Sequence, residues 1–123
     1  MLDALTTTSP KTRTERIAEL NDRARHGLDR TARTVFTIGL LDELSDGSRA
    51  SDILAQARIM KAMRECDFGE DSPEREMAWF EVDGIRMMMK IDYFDADFEW
   101  GSEDPANAAE TRRVITIMRP EDY

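Results

Sequence analysis

The sequence predicts an α+β fold, a two-layer sandwich in which a mainly antiparallel four-stranded sheet carries two helices on one face. Three features lead there: a helix-start signature at Thr12 and Glu15, a switch of apolar spacing from helical to alternating at Met77, and an Asp83-Gly84 pair between two alternating runs. The expected element order is α-β-α-β-β-β. At 123 residues the chain has the usual size of one domain. Residues 1–11, rich in Ser and Thr, are expected to be a flexible segment and residues 12–123 a single domain. With 41% hydrophobic and 35% charged residues, the chain can bury one modest core beneath a heavily solvated exterior, which excludes a disordered composition.

The first helix starts at Thr12, whose hydroxyl can cap it while Glu15 reaches back. Ile17, Leu20, Ala24 and Leu28 then form one apolar stripe, with Asn21, Asp22, Arg23 and Arg25 on the wet side. Residues 33–40, RTVFTIGL, are β-branched and aromatic, and predict an interior strand with Phe36, Ile38 and Leu40 on one side. A turn at Asp46-Gly47 leads to a second helix capped by Ser48 or Ser51, which is expected to bury Ile53, Leu54, Ala57, Met60 and Met63. Residues 66–76 read as a surface loop with Gly69 and Pro73. The hairpin follows: Ala78, Phe80 and Val82 alternate inward, Asp83-Gly84 turns the chain, and Ile85, Met87, Met89, Ile91 and Tyr93 continue the inner face. Residues 104–110 predict a short helical turn, and residues 112–119 the last strand.

Charge divides the chain unevenly. Residues 1–65 hold 11 Lys or Arg against 10 Asp or Glu, a net of +1, whereas residues 66–123 hold 6 against 16, a net of −10. Such acidity disfavours direct contact with nucleic-acid phosphates or an anionic membrane and favours a basic protein surface. No window approaches the ~20 apolar residues of a spanning helix, and residues 1–9 lack a secretory pattern, so a cytoplasmic location is expected. A single Cys66 and a single His26 furnish no zinc site and no Cys-His nucleophile pair. His26, with Asp22 and Arg30 one turn away on either side, reads as ordinary helix-surface pairing.

The densest acidic stretch is KIDYFDADFEWGSED, residues 90–104. Asp95, Asp97 and Glu99 match the first three ligand positions of a calcium loop, but Trp100 stands where Gly is required and Ala106 where the bidentate Glu is required. The match fails, and neither a metal nor a cofactor is assigned. No nucleophile elbow, phosphate loop or dinucleotide fingerprint occurs, so the reading leans away from an enzyme. Through Tyr93 the apolar residues are odd-numbered; afterwards Phe94, Ala96, Phe98 and Trp100 are even-numbered. A strand cannot exchange faces without an inserted residue or a turn, which predicts a bulge or bend within residues 92–95. Beyond it, the aromatics would stay buried while Asp95, Asp97 and Glu99 form a displayed row with a spacing of about 6.7 Å.

The segments RIAELND at residues 16–22, FEVDG at 80–84, KIDY at 90–93, GSEDP at 101–105 and RVITIM at 113–118 resemble a family of small bacterial proteins catalogued as a domain of unknown function, number 3768. That resemblance brings no catalytic residues. It implies a setting in alphaproteobacteria, often on plasmids and other mobile elements, where small acidic proteins act against host defence by binding nucleases or targeting complexes. The chain departs from the family in its Met-rich third strand and in the loop before Met77.

The leading expectation is therefore a non-enzymatic acidic protein that binds a basic, nucleic-acid-handling partner, as an anti-CRISPR or anti-restriction inhibitor or a DNA mimic. Candidate partner-binding residues are Glu81, Asp83, Met88, Asp92, Asp95, Asp97, Glu99, Trp100, Glu103 and Asp104. One alternative is a small enzyme or ligand-binding protein with a carboxylate-lined pocket near Trp79, Tyr93 and Trp100. Another is a structural homo-oligomer, a homodimer being the simplest, that pairs through its strands.

Overall fold

The computed structural model describes residues 10–123, so residues 1–9 of the expected flexible segment lie outside the described residues. The order is α1 (Arg13–Arg25), β1 (Arg33–Phe36), α2 (Ile38–Leu44), α3 (Arg49–Glu65), β2 (Met77–Val82), β3 (Ile85–Phe94), β4 (Arg112–Met118) and a 3-10 turn, η1 (Pro120–Asp122). The fold is α+β, with a four-stranded sheet ordered β1-β4-β3-β2. β2 and β4 run antiparallel to β3, whereas β1 is parallel to β4, so the sheet is mixed.

Helix α1 begins as its sequence dictates. The Glu15 N–H donates to Thr12 Oγ1 at 3.1 Å, and the Thr12 N–H donates to Glu15 Oε1 at 2.8 Å, satisfying two end groups reciprocally. Ile17, Leu20 and Ala24 are buried, but Leu28 lies past the helix and is exposed. The expected wet side is corrected at two positions, because Asn21 and Arg25 are also buried. Arg25 earns its burial by capping another helix: its guanidinium donates to the Met63 and Arg64 carbonyls at 3.1 and 2.9 Å, in the last turn of α3. It also pairs with Asp22 at 2.7 Å and lies 4.8 Å from the centre of the Phe68 ring.

The strand expected over residues 33–40 stops at Phe36, and it is an edge strand, not an interior one. After the Thr37 N–H donates to the Ile117 carbonyl at 3.0 Å, the chain turns into α2. Leu40, Leu41 and Leu44, at offsets of one and four, are the helical pattern that the alternation of Phe36, Ile38 and Leu40 concealed. Leu40 is buried and Ile38 exposed. Gly39 permits this connection, since a Cβ there would lie 2.2 Å from the Arg119 guanidinium. Arg119 in turn grips Asp122 at 2.9 Å, and Asp122 accepts from the Thr37 hydroxyl at 2.8 Å, so the C-terminus is tied to the start of α2. These two donors, Arg119 foremost, hold the Asp122 carboxyl well below the usual carboxylate range.

Ser48 caps α3, accepting from the Ser51 N–H at 3.1 Å. The buried stripe, however, is Ala55, Ile59 and Met63; Ile53, Leu54 and Ala57, expected inside, face solvent. Two interleaved apolar stripes run along this helix, and the spacing of four selects Ala55, Ile59 and Met63 because that stripe meets the sheet. The hairpin forms as predicted, with Val82 opposite Ile85 and positive φ at both Asp83 (53°) and Gly84 (80°), as a two-residue turn of this hand requires. Residues 104–110 form hydrogen-bonded turns, not the expected helical turn, closed by the Asn107 N–H to the Asp104 carbonyl (2.9 Å) and the Glu110 N–H to the Asn107 carbonyl (3.2 Å).

One buried cluster joins Ala24, Leu40, Ile59 and Met63 from the three helices to Ala78, Val82, Met87, Met89, Ile91, Ile115 and Ile117 on one face of the sheet. The other face presents Trp79, Arg86, Lys90, Asp92 and Phe94. If the stripe assignment on α3 is right, Ile59→Ala should cost about 2–5 kcal/mol of unfolding free energy in urea titration, and Leu54→Ala no more than about 0.5. Equal losses would contradict it.

Candidate functional site

Three connections leave the same end of the sheet: residues 26–32 before β1, residues 66–76 before β2, and residues 95–111 between β3 and β4. The last two carry eleven of the acids in the C-terminal half and one cation, Arg75. Sequence separation hides this; the ladder registers, with Met77 opposite Lys90 and Phe94 opposite Arg112, place both acidic loops side by side.

Beneath that end lies a buried polar network. Arg113, on the inner face in phase with Ile115 and Ile117, donates from Nε to Asn21 Oδ1 at 2.6 Å and from Nη2 to the Pro105 carbonyl at 2.5 Å. Asn21 Nδ2 donates to the Glu74 carbonyl at 2.9 Å and to the Tyr93 hydroxyl at 2.8 Å. The Arg113 guanidinium lies 5.1 Å from the centre of the Tyr93 ring. A second knot holds Thr111, whose hydroxyl donates to the Asp104 carbonyl at 2.8 Å and meets Ser102 Oγ at 2.6 Å. Both acidic loops are thus fixed by neutral acceptors clustered around one buried cation. Burial, chiefly, pushes the Tyr93 phenol up to about 12, with Glu74 and Glu76 acting in the same direction against the Asn21 bond and Arg113. Burial also lowers the Arg113 guanidinium from its ordinary value.

The predicted bend in residues 92–95 occurs at its end: β3 runs unbroken to Phe94 and the chain then turns. The Asp95 N–H donates to the Trp100 carbonyl at 2.8 Å, and Phe94 bridges to Gly101, so residues 95–100 form a loop that returns on itself. No exchange of faces is needed, because Phe94 lies on the open face in its normal phase. The expected row of Asp95, Asp97 and Glu99 does not exist. Asp95 Oδ1 accepts from the Asp97 and Glu99 N–H groups at 3.1 Å each, turning that carboxylate onto its own loop. Phe98, at φ 60°, is held in the left-handed region by Phe94, with ring centres 6.5 Å apart, and by Arg33, 3.7 Å from its ring centre. Trp100, expected to stay buried, is 75% exposed.

The candidate residues therefore separate. Asp97, Glu99, Trp100 and Glu103 stand exposed on one loop, and Asp97, Glu99 and Glu103 join no ion pair among the described residues. Asp104 is partly covered and lies 3.5 Å from Arg13; Asp92 pairs with Lys90 at 3.0 Å. Glu81 and Asp83 sit toward the hairpin turn at the opposite end, where Asp83 pairs with Arg58 at 3.2 Å. Met88 is corrected outright. At 0% exposure it can touch no partner, being enclosed between Trp79 and Met118 on the open face where η1 packs against β3. Trp79, Tyr93 and Trp100 do not line one common pocket, since these side chains lie on the open face, on the core face and in the loop. His26 contacts the Asp22 carbonyl at 2.7 Å, not its carboxylate. The Cys66 thiol, raised by burial, bonds to the Met63 carbonyl at 3.1 Å. Among the described residues no three of His, Cys, Asp or Glu converge as metal ligands, and no helix is long and apolar enough to cross a membrane.

A family described as "protein of unknown function (DUF3768)" matches residues 14–122. The chain belongs to the DUF3768 family. No curated protein and no solved structure matches it. In this DUF3768 member, the segments carrying the resemblance meet inside the fold: Asn21 comes from RIAELND, Tyr93 from KIDY, Pro105 from GSEDP and Arg113 from the last strand. They build the support under the acidic end, not its exposed surface. Sequence reasoning missed this network, although an Arg in phase with Ile115 and Ile117 was its visible signal.

Removing the acceptor in Asn21→Ala should cost about 3 kcal/mol of stability, measured by urea denaturation, because the buried guanidinium loses a partner. The Tyr93 phenol has a raised value in the folded chain, so its contribution is complete below the ordinary value of about 10 and is lost as pH rises toward 12. A melting-temperature series from pH 9 to 12 should show a fall in this window that is smaller in Tyr93→Phe; an unchanged profile would contradict the assignment.

Proposed function

We propose that this DUF3768 protein is a non-enzymatic interaction protein whose acidic end binds a basic surface on a nucleic-acid-handling partner. The observation carrying this reading is the loop of residues 95–103, which exposes Trp100 between Glu99 and Glu103 while Arg33 and Asp95 hold the loop in shape. A large, rigid aromatic surrounded by carboxylates suits a partner offering an apolar contact rimmed by Lys or Arg, with the ring supplying affinity and the charges orientation and encounter rate. Folding the chain does not account for the exposure of Trp100, since the ring lies outside the core cluster.

The class of outcome we infer is inhibition: a nuclease or DNA-targeting complex whose basic groove is occupied loses access to nucleic acid. A bacterial mobile element is the setting this reading supposes, with anti-restriction or anti-CRISPR action as its specific forms. Strict mimicry of duplex DNA is the less favoured version. DNA places one charge per ~1.7 Å of axis, and the inward turn of Asp95 leaves no regular row.

The test compares capture of host proteins by the wild type and by an Asp97→Lys, Glu99→Lys, Glu103→Lys variant, all exposed positions. Asp95 is left intact because it shapes the loop. The expected result is a captured nucleic-acid-binding protein that duplex DNA displaces, that releases steeply with salt, and that the triple variant fails to retain while melting as the wild type does. Equal retention by the variant would exclude this surface.

A further inference from the structure

β2 ends the sheet, so one of its two edges faces away from every described strand. The Ile91 N–H donates to the Glu76 carbonyl at 2.8 Å, which fixes the phase of the ladder. Ala78, Phe80 and Val82 direct their backbone groups toward β3, whereas Met77, Trp79 and Glu81 direct theirs outward. Among the described residues only the first of these outward donors is occupied: the Met77 N–H bonds to Ser72 Oγ at 3.3 Å. The strand contains no Pro, Gly or Lys, the usual guards of an edge.

Beside this edge, where residues 66–76 enter β2, lies a cleft of about 400 Å³ lined by Asp67, Asp71, Glu76, Met77 and Trp79 among others. Ser72 Oγ donates to Glu76 Oε1 at 3.1 Å, but Glu76 Oε2 is buried without a partner among the described residues. Trp79 adds an aromatic wall, and Arg86 lies 4.6 Å from the centre of its ring. The cleft is therefore an acidic recess with an apolar floor at the head of an open strand.

We infer that the outer edge of β2 receives an extended basic peptide segment as an added strand, with one Lys or Arg side chain entering the Asp67, Asp71 and Glu76 cleft. Main-chain bonds to Trp79 and Glu81 supply the pairing, and the alternating side chains of the peptide place every second residue over the acidic rim. Charge complementarity selects this occupant. A second copy of the chain, with a net charge of −9, would bring Glu81 and the cleft acids against their own kind. The inference rests on the proposed function only in taking the partner to be a basic protein; the cleft and the strand edge use none of residues 95–103.

The probe is a fluorescein-labelled nonapeptide alternating Arg with Thr, and its control alternates Glu with Thr. Anisotropy should show saturable binding of the Arg peptide alone, and hydrogen exchange should slow at the Trp79 and Glu81 amides. Asp67→Lys with Asp71→Lys, both exposed positions, should weaken binding about tenfold or more. Glu81→Pro, which removes one outward donor without touching the ladder to β3, should abolish amide protection. The Asp97→Lys, Glu99→Lys, Glu103→Lys variant should lose less affinity for the Arg peptide than Asp67→Lys with Asp71→Lys does, since it leaves the cleft acids and the open strand intact. Absence of saturable binding overturns the inference, as does equal binding of the Glu peptide or insensitivity to Asp67→Lys with Asp71→Lys. Loss confined to the residue 97–103 variant would overturn it while favouring the other surface. A dimer in sedimentation with the same two amides protected in the free protein would assign the edge to self-pairing.

Discussion

The acidic end of this molecule depends on one buried cation. Arg113 reaches the core face of β4 and bonds to an amide oxygen and a backbone carbonyl, with no carboxylate in hydrogen-bond contact. A guanidinium can be buried in this way because its donors form a planar fork that several neutral acceptors can fill at once. The acceptors come from distant parts of the chain: Asn21 from α1, Pro105 from the connection after β3, and, through Asn21, Glu74 from the connection before β2. Displacing any of them leaves a buried charge or donor unsatisfied, a cost of several kcal/mol. Each acidic loop is thereby fixed to the same point, and their relative placement follows from Arg113 more than from contacts between the loops.

That arrangement also answers how a segment with so many like charges stays folded. The N-terminal half, nearly neutral on its own, supplies cations to the acidic half: Arg13 meets Asp104, and Arg33 covers Phe98. Within the acidic half, Arg75 crosses to Asp22 on α1. Exposed pairs of this kind contribute little individually, and among the described residues they leave a surplus of unpaired acids at Asp97, Glu99 and Glu103 in one loop and at Asp67, Glu70 and Asp71 in the other.

Much of the fold was legible in the sequence, and the failures have identifiable causes. The capping box and the Asp83-Gly84 turn were read correctly because each is decided by a few neighbouring residues. Residues 37–40 fit a strand by Phe36, Ile38 and Leu40 and a helix by Leu40, Leu41 and Leu44; the helix buries Leu40 in the core and packs Leu41 and Leu44 against it. In α3 two stripes were equally apolar, and only the sheet distinguishes them. Met88 was given to the surface by parity, which is correct for the face but silent about Met118 and η1 lying over it. The acidic surface was visible in composition. Its support was not, because Asn21 looks like a solvent-facing residue until Arg113 and Tyr93 are placed beside it.

The two edges of the sheet are guarded differently, and the difference bears on what each can do. β1 is four residues long, begins with Arg33 and is parallel to its neighbour, so it offers a short edge beside a cation. β2 offers an edge six residues long without Pro, Gly or Lys; the acids beside it are Glu81, Asp83 and those of residues 66–76, and the cations are Arg86 over Trp79 and Arg58 on Asp83. An edge whose surplus charge is negative discriminates by sign. It repels acidic chains, including further copies of this protein, and loses that protection toward a basic one. Native sheets ordinarily block their edges against every comer with a bulge, a proline or an inward charge. A block that acts chiefly on charge disfavours a second acidic chain and favours a cationic strand.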